Sequence, residues 1–344
     1  MFKAFGQLPS GSRLSRIKRS PHYRSGAFQN QEPTDVMLKT ASFFKVMLDF
    51  LNKPKNTQPS AELPSVNTDL RKLENGKINI VWFGHSSYLL DVNGIKLLID
   101  PVFSGHASPF DFFGKAFPGS NTYQADDMPD LDAVILTHDH YDHLDYETIL
   151  KLKSRTRHFF TSLGVGSHLE YWGIKPASIT ELDWWESVKI THSIELTAAP
   201  ARHFSGRGIK RFQTLWSSFI LKAGDSKIFL GGDSGYDDTF KQVGEKYGPF
   251  DIALLECGQY GDSWPYIHMT PEETVQAAID LKAQVLMPVH WAKFTLALHS
   301  WHDSADRVTA EAKRKNLKTT TPLIGEIVTL HESYPNKRWW DINH

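Results

Sequence analysis

His138-Asp139-His140-Tyr141-Asp142-His143 sets three histidines and two aspartates in six consecutive positions. His138 and His140 stand two apart, so an extended start points both imidazoles to one side, and the turn that follows brings Asp142 and His143 round to a second position. That spacing suits two metal ions sharing one pocket. Neutral imidazoles and carboxylates suit zinc, and also iron or manganese, because ligand type alone rarely fixes the metal. The alternative is a surface loop leading to a helix that starts near Asp145, an acceptable N-cap. The spacing is specific enough to favour the metal.

Strands elsewhere in the chain supply the remaining donors. Residues 133–137 (AVILT) end at His138, 196–201 end just before Arg202-His203, 227–232 end at Asp233, and 284–289 end at His290. Each apolar strand thus delivers a metal-competent side chain at its carboxyl end, where the strand is rigid and the following loop leaves room for ligand and substrate. Alone, His203 or His290 would be a weak signal, since core and surface histidines are common. Their recurrence at strand ends raises both.

Further out, residues 78–83, 88–92 and 95–99 read as strands, and Asn93-Gly94 between the last two signals a type I′ hairpin. Helical patterns at 164–172, 271–281 and 305–315 alternate with the later strands, which predicts α/β (α+β) sheets covered by helices. The catalytic domain is expected over 77–344. Before it, residues 1–76 comprise a basic arm, an amphipathic helix at 35–52 and a Pro-rich linker at 54–67.

In the arm, Lys3, Arg13, Arg16, Lys18, Arg19 and Arg24 all precede the first acidic residue, Glu32. Such an arm suits an anionic lipid surface or an acidic protein face, and equally suits docking on its own domain. The apolar side of the helix at 35–52 must be covered, ordinarily by the main domain and alternatively by a membrane surface. No apolar run serves as a signal peptide or spans a membrane, so a cytoplasmic location, peripheral to the membrane at most, is expected. With 344 residues, 40% of them hydrophobic, and a net charge of −1, the chain reads as soluble and globular. Near-neutral charge argues against an extended nucleic-acid track. The one cysteine, Cys257, cannot form an intramolecular disulfide and reads as a small buried hydrophobe.

The run at 138–143, together with GHSS at 84–87, LLIDP at 97–101, GGDSGY at 231–236 and PVHW at 288–291, resembles the metallo-β-lactamase superfamily. PARHFSGRG at 200–208, LWSS at 215–218 and HMTPEETV at 268–275 look, more narrowly, like the branch containing N-acylphosphatidylethanolamine-hydrolysing phospholipase D and its bacterial relatives. The likeness spans 77 to about 294. It implies a four-layer αββα sandwich with an N-terminal helical extension. It also implies that His138, His140 and His203 bind one ion, that Asp142, His143 and His290 bind a second, and that Asp233 bridges them. Asp139 is not a ligand position there and reads as loop-shaping.

Two cations about 3.5–4 Å apart acidify a bridging water and stabilise charge on the attacked group. Asp142 is placed to orient that water. A phosphodiesterase of phospholipase D type, acting on a small-molecule or lipid substrate through a metal-bridging hydroxide, is the leading expectation. A lactonase or other cyclic-ester hydrolase is the alternative, and a membrane-associated lipid-binding module is the alternative of another class. Thr270, Pro271 and Glu273 form an N-cap, first-turn proline and capping box, so His268 sits immediately before a helix N-terminus. That position disfavours a charged imidazole. His268 is therefore expected to be largely neutral and to donate to a substrate oxygen, with general-acid duty as the stronger version and a structural loop histidine as the alternative. Trp264 and Trp291 are candidates for a cleft wall or for the core. Arg202 and Arg207 are candidates for phosphate binding or for salt bridges. A homodimer is left open.

Overall fold

Strands apolar on both faces demand cover on both faces, and the chain provides it with two sheets back to back and helices outside them. The computed structural model describes residues 2–342; Met1, Asn343 and His344, at the ends of the two expected units, lie outside the described residues. The N-terminal part contains α1 (Gly11–Ile17), the short pair β1 (Tyr23–Arg24) and β2 (Ala27–Phe28), and α2 (Phe43–Leu51). There follow β3 (Ile78–Trp82), β4 (Tyr88–Val92), β5 (Ile95–Ile99), β6 (Leu131–Leu136), α3 (Tyr146–Leu152), β7 (Thr156–Ser162), α4 (Gly166–Tyr171) and β8 (Ile179–Leu182). The second half holds β9 (Ser187–Lys189), β10 (Ile194–Ala199), β11 (Ser218–Ala223), β12 (Ser226–Leu230), α5 (Thr239–Lys246), β13 (Ile252–Glu256), α6 (Pro271–Asp280), β14 (Val285–Val289), α7 (Asp303–Arg314), β15 (Lys318–Thr319) and β16 (Ile327–Thr329).

One sheet runs β16-β3-β4-β5-β6-β7-β8 and the other β15-β14-β13-β12-β11-β10-β9. Each is antiparallel in one half and parallel from β5 to β8 or from β12 to β15. Leu98 and Val134 of the first sheet share a single buried cluster with Phe229 and Leu254 of the second, while α4 lies on β8, α6 on β13 and β14, and α7 on β15. This is the expected αββα sandwich. Asn93 and Gly94 close β4 to β5 with φ of 53° and 88°, the left-handed pair a type I′ turn requires.

The helix expected over 35–52 is shorter. It begins only at Phe43, where Ser42 caps it by accepting from Lys45 N, because upstream the backbone turns to donate from Leu38 N to Ser263 O. Phe50 stacks on Trp264 at 6.2 Å between ring centroids, while Phe44 and Leu51 remain 63% and 74% exposed. Residues 54–67 lie along the body, with Leu63 N donating to Pro118 O and Val66 N to Ile324 O. In the basic arm, Arg13 pairs with Glu170 and Glu181 at 2.7 and 2.9 Å, and Arg16 with Glu186 at 2.6 Å. Those cations therefore meet acids of the same chain. No helix of the described residues is long and apolar enough to cross a membrane.

Candidate metal centre

Asp100, immediately after β5, organises the base of the site. Its carboxylate accepts from Thr137 N and Thr137 Oγ1, at 2.8 and 2.6 Å, and from His143 Nδ1 at 2.8 Å. To do so Asp100 adopts a φ of 41°, a conformation that costs a non-glycine residue on the order of 1–3 kcal/mol. The proton on His143 Nδ1 is thereby fixed, and Nε2 is left for the pocket. Thr137 Oγ1, already donating to Asp100, accepts from His138 Nδ1 at 3.0 Å, and Ile267 O accepts from His203 Nδ1 at 2.8 Å. His138 and His203 therefore also present bare Nε2 atoms.

These atoms converge. His138 Nε2 and His203 Nε2 lie 2.9 and 3.2 Å from His140 Nδ1. Ligands about 2.0–2.1 Å from a tetrahedral zinc stand about 3.4 Å from one another, so His140 Nδ1 already lies at nearly that spacing from each of the other two nitrogens. Asp233, at the end of β12, faces both halves of the site: Oδ2 is 3.8 Å from His138 Nε2 and 3.6 Å from His203 Nε2, while Oδ1 is 3.1 Å from His143 Nε2 and from His290 Nδ1. His138, His140, His203 and Asp233 form one group able to hold an ion, and His85, Asp142, His143 and His290 form another. Every ligand position expected from the sequence is brought together. His143 Nε2, Asp233 Oδ1 and His290 Nε2 are buried without a hydrogen-bond partner, the condition a cation between them would relieve.

The electrostatics favour ligand duty at four of the histidines and oppose it, without an ion, at His143 and Asp233. Burial pushes His138, His203 and His290 well below the usual histidine range and His140 to about 4, so their lone pairs are available. Burial pushes His143 down too, but Asp233, Asp142 and Asp100 outweigh it and hold that ring well above its ordinary value. Asp233 is pushed up to about 6 by burial, against the pull of His143.

His268 faces the same pocket, within reach of Asp233 and His290. Its Nδ1 lies 3.1 Å from Glu256 Oε1, an oxygen that also accepts from Met269 N and Ser234 N. Burial pushes Glu256 well above the carboxylate range, and its Oε2 has no partner. An ionised Glu256 accepts from Nδ1 of His268, whereas a protonated Glu256 donates to it from Oε1. Burial lowers His268, as expected of a neutral ring. With Nδ1 donating to Glu256 the neutral ring offers the pocket a lone pair at Nε2, and with Glu256 donating it offers the N–H expected from the sequence.

The flanking arginines are engaged elsewhere. Arg207 is buried and donates to Ala4 O, Asp139 O and Leu144 O, with its guanidinium 4.0 Å from the Tyr141 ring centre. Arg202 donates to Thr34 Oγ1, Pro33 O and Tyr236 O. Neither is free for phosphate, because the N-terminal residues occupy both. Asn30 clamps the His203 backbone from the same side, accepting from its N at 3.0 Å and donating to its O at 2.8 Å. Asp139 shapes the loop as expected, accepting from Gly206 N, Thr214 Oγ1 and His168 Nε2. Trp291 is a core residue stacked between Trp82 and Trp339, whereas Trp264 lines a groove of about 990 Å³ beside α2. Asp100, Glu256 and His85 escaped the sequence reading. The first two end apolar strands, the signal that found Asp233, and His85 lies in a motif quoted only for its likeness.

A family model described as "Beta-lactamase superfamily domain" matches residues 96–291. An uncharacterized protein of Mycobacterium tuberculosis is 37% identical over 328 residues, covering 94% of this chain and 88% of its own. N-acyl-phosphatidylethanolamine-hydrolyzing phospholipase D 1 of Caenorhabditis elegans is 31% identical over 233 residues, 64% of this chain and 65% of that protein. The fold is similar to that of Igni18, a metallo hydrolase from Ignicoccus hospitalis, with a TM-score of 0.58 and 21% identity over 75% of this chain and 100% of that one. With the model spanning more than half the sequence and the histidine and aspartate groups assembled at the strand ends, the chain belongs to the metallo-β-lactamase superfamily and is a metal-dependent hydrolase.

Proposed function

We propose that the enzyme is a phosphodiesterase of phospholipase D type, using two divalent ions with zinc as the native metal and iron or manganese as the alternatives. The two-ion reading rests on Asp233, whose two oxygens face separate histidine groups. When bound, such ions supply Lewis acidity and bring the pKa of a water near neutrality.

The chain's own residues do the rest. Asp142, within the second group, orients the attacking water. His268 accepts a proton at Nε2 while Glu256 holds the opposite edge of the ring. The buried histidines and Asp233 are fixed before substrate arrives, so little reorganisation is needed when charge develops. A lipid substrate is supported by the printed name of the Caenorhabditis elegans relative and by α2, on which the exposed Phe44, Met47, Leu48 and Leu51 suit acyl chains or peripheral membrane contact.

The test is turnover of phosphodiesters, phospholipids and lactones by metal-reconstituted protein. Release of a phosphatidic-acid product from phospholipid supports the proposal. Turnover of lactones alone overturns it, and two bound metals without turnover point instead to lipid binding.

A further inference from the structure

The turn at residues 84–87 carries His85, a member of the second group able to hold an ion that the sequence did not single out as a ligand, and it touches both walls of that group. His85 is fully buried with a φ of 53°, a left-handed conformation unusual for a side chain of its size. Its backbone is pinned on each side: N donates to Trp291 O, and O accepts from His290 N and Trp82 Nε1. The ring lies 3.9 Å from that of His290 and 5.1 Å from that of Phe294, and its Nε2 is 2.9 Å from Asp142 Oδ2. The next residue, Ser86, meets His290 Nδ1 at 2.9 Å.

A neutral imidazole carries one proton, and the surroundings decide where. His85 Nδ1 is buried without a hydrogen-bond partner. A proton there would be a buried N–H with no acceptor, costing about 1–3 kcal/mol, whereas on Nε2 it is donated to Asp142. The proton therefore sits on Nε2, and that nitrogen cannot also ligate an ion.

We propose that His85 is a positioning residue for the second metal position, holding one oxygen of Asp142 so that the other serves the ion, while the same turn fixes the ring of His290. This deepens the two-ion reading and rests on it. Outer hydrogen bonds of this kind typically change metal affinity about 10–100-fold.

The experiment compares wild type with His85→Met, which fills the volume without a donor, and His85→Gln, which restores an N–H donor. Zinc per chain and chelator-competition affinity are measured, together with the absorption spectrum of the cobalt-loaded proteins. A wild type that fails to bind two ions defeats the two-ion reading itself, whatever the variants do. With two ions bound, His85→Met is expected to lose about 10–100-fold in affinity for the second, His85→Gln to recover most of it, and the loaded cobalt spectra to match. Equal loss in both variants with an altered cobalt spectrum makes His85 a ligand and overturns the proposal. Unchanged affinity in His85→Met overturns it as well. If only His85→Gln folds, wild-type affinity and spectrum in that variant support positioning, and loss of either refutes it.

Discussion

Replacing Arg207 by methionine removes a buried cation that makes four hydrogen bonds to the carbonyls of Ala4, Asp139 and Leu144. Hydrogen bonds to a charged group contribute about 1.5–3 kcal/mol each, so the gross loss is large. Against it stands the cost of burying the guanidinium, several kcal/mol, which the variant no longer bears. Three carbonyls lose their donor, and in a pocket where Arg207 is only 4% exposed water does not readily replace it. At about 1–3 kcal/mol for each buried carbonyl left without a donor, the balance is a net loss of about 3–5 kcal/mol. The Ala4 carbonyl regains water by leaving the surface, so the loss should concentrate in release of the N-terminal arm. At about 1.4 kcal/mol per tenfold, release becomes on the order of a hundred- to a thousandfold more frequent. Urea titration measures the stability, and limited proteolysis near residues 2–17 measures the release. A stability loss below about 1 kcal/mol with unchanged protection would refute the account. Retained stability with weakened inhibition by inorganic phosphate would return Arg207 to the anion-binding role.

Asp233→Asn, which weakens the carboxylate shared by both groups, should lower zinc content below two per chain and abolish turnover together, as elemental analysis beside an assay would show. His268→Ala should keep both metals and lose about 10²–10⁴ in turnover, the usual worth of a proton-transfer residue; concurrent loss of metal would assign His268 to the ligands. Chelation of wild type should lower the melting temperature, since ligand present at about a thousandfold over its Kd stabilises by about 4 kcal/mol; an unchanged melting curve would mean the orphaned nitrogens need no ion. At Gly6, with φ of 69°, an added Cβ would lie 2.0 Å from His168 Nδ1, so Gly6→Ala should expose the arm to proteases without changing the phosphodiester-to-lactone preference.

Much of the site could be read from residue types because the chemistry is local. The spacing in 138–143, the strand ends before His203, Asp233 and His290, and the capping box of Thr270 and Glu273 all survive in the fold. What could not be read depends on segments far apart in sequence. Glu256 is one more acidic residue closing an apolar strand until Met269 and His268 are folded over it. Arg207, beside a metal-competent histidine, invites an anion; only the fold reveals the carbonyls of Ala4, 203 positions earlier, and of Asp139 and Leu144 as its partners. The amphipathic period over 35–52 overstated α2, because periodicity does not register that the Leu38 backbone is taken by Ser263.

The clamp of Asn30 on His203 and the seat of Ala4 on Arg207 also set an order of events. During synthesis, residues 2–34 emerge before the loop that Asn30 and Ala4 grip, which lies 173 and 203 positions downstream of them. Until that loop exists the early segment can dock only through its contacts with residues 167–186. Closing so long a loop carries an entropic cost that the local hairpins do not face, which makes such contacts slow to form. Rigidity of the ion-binding loop should therefore arrive late in folding, after both sheets, and a chain interrupted in this process should have its core before it can hold metal.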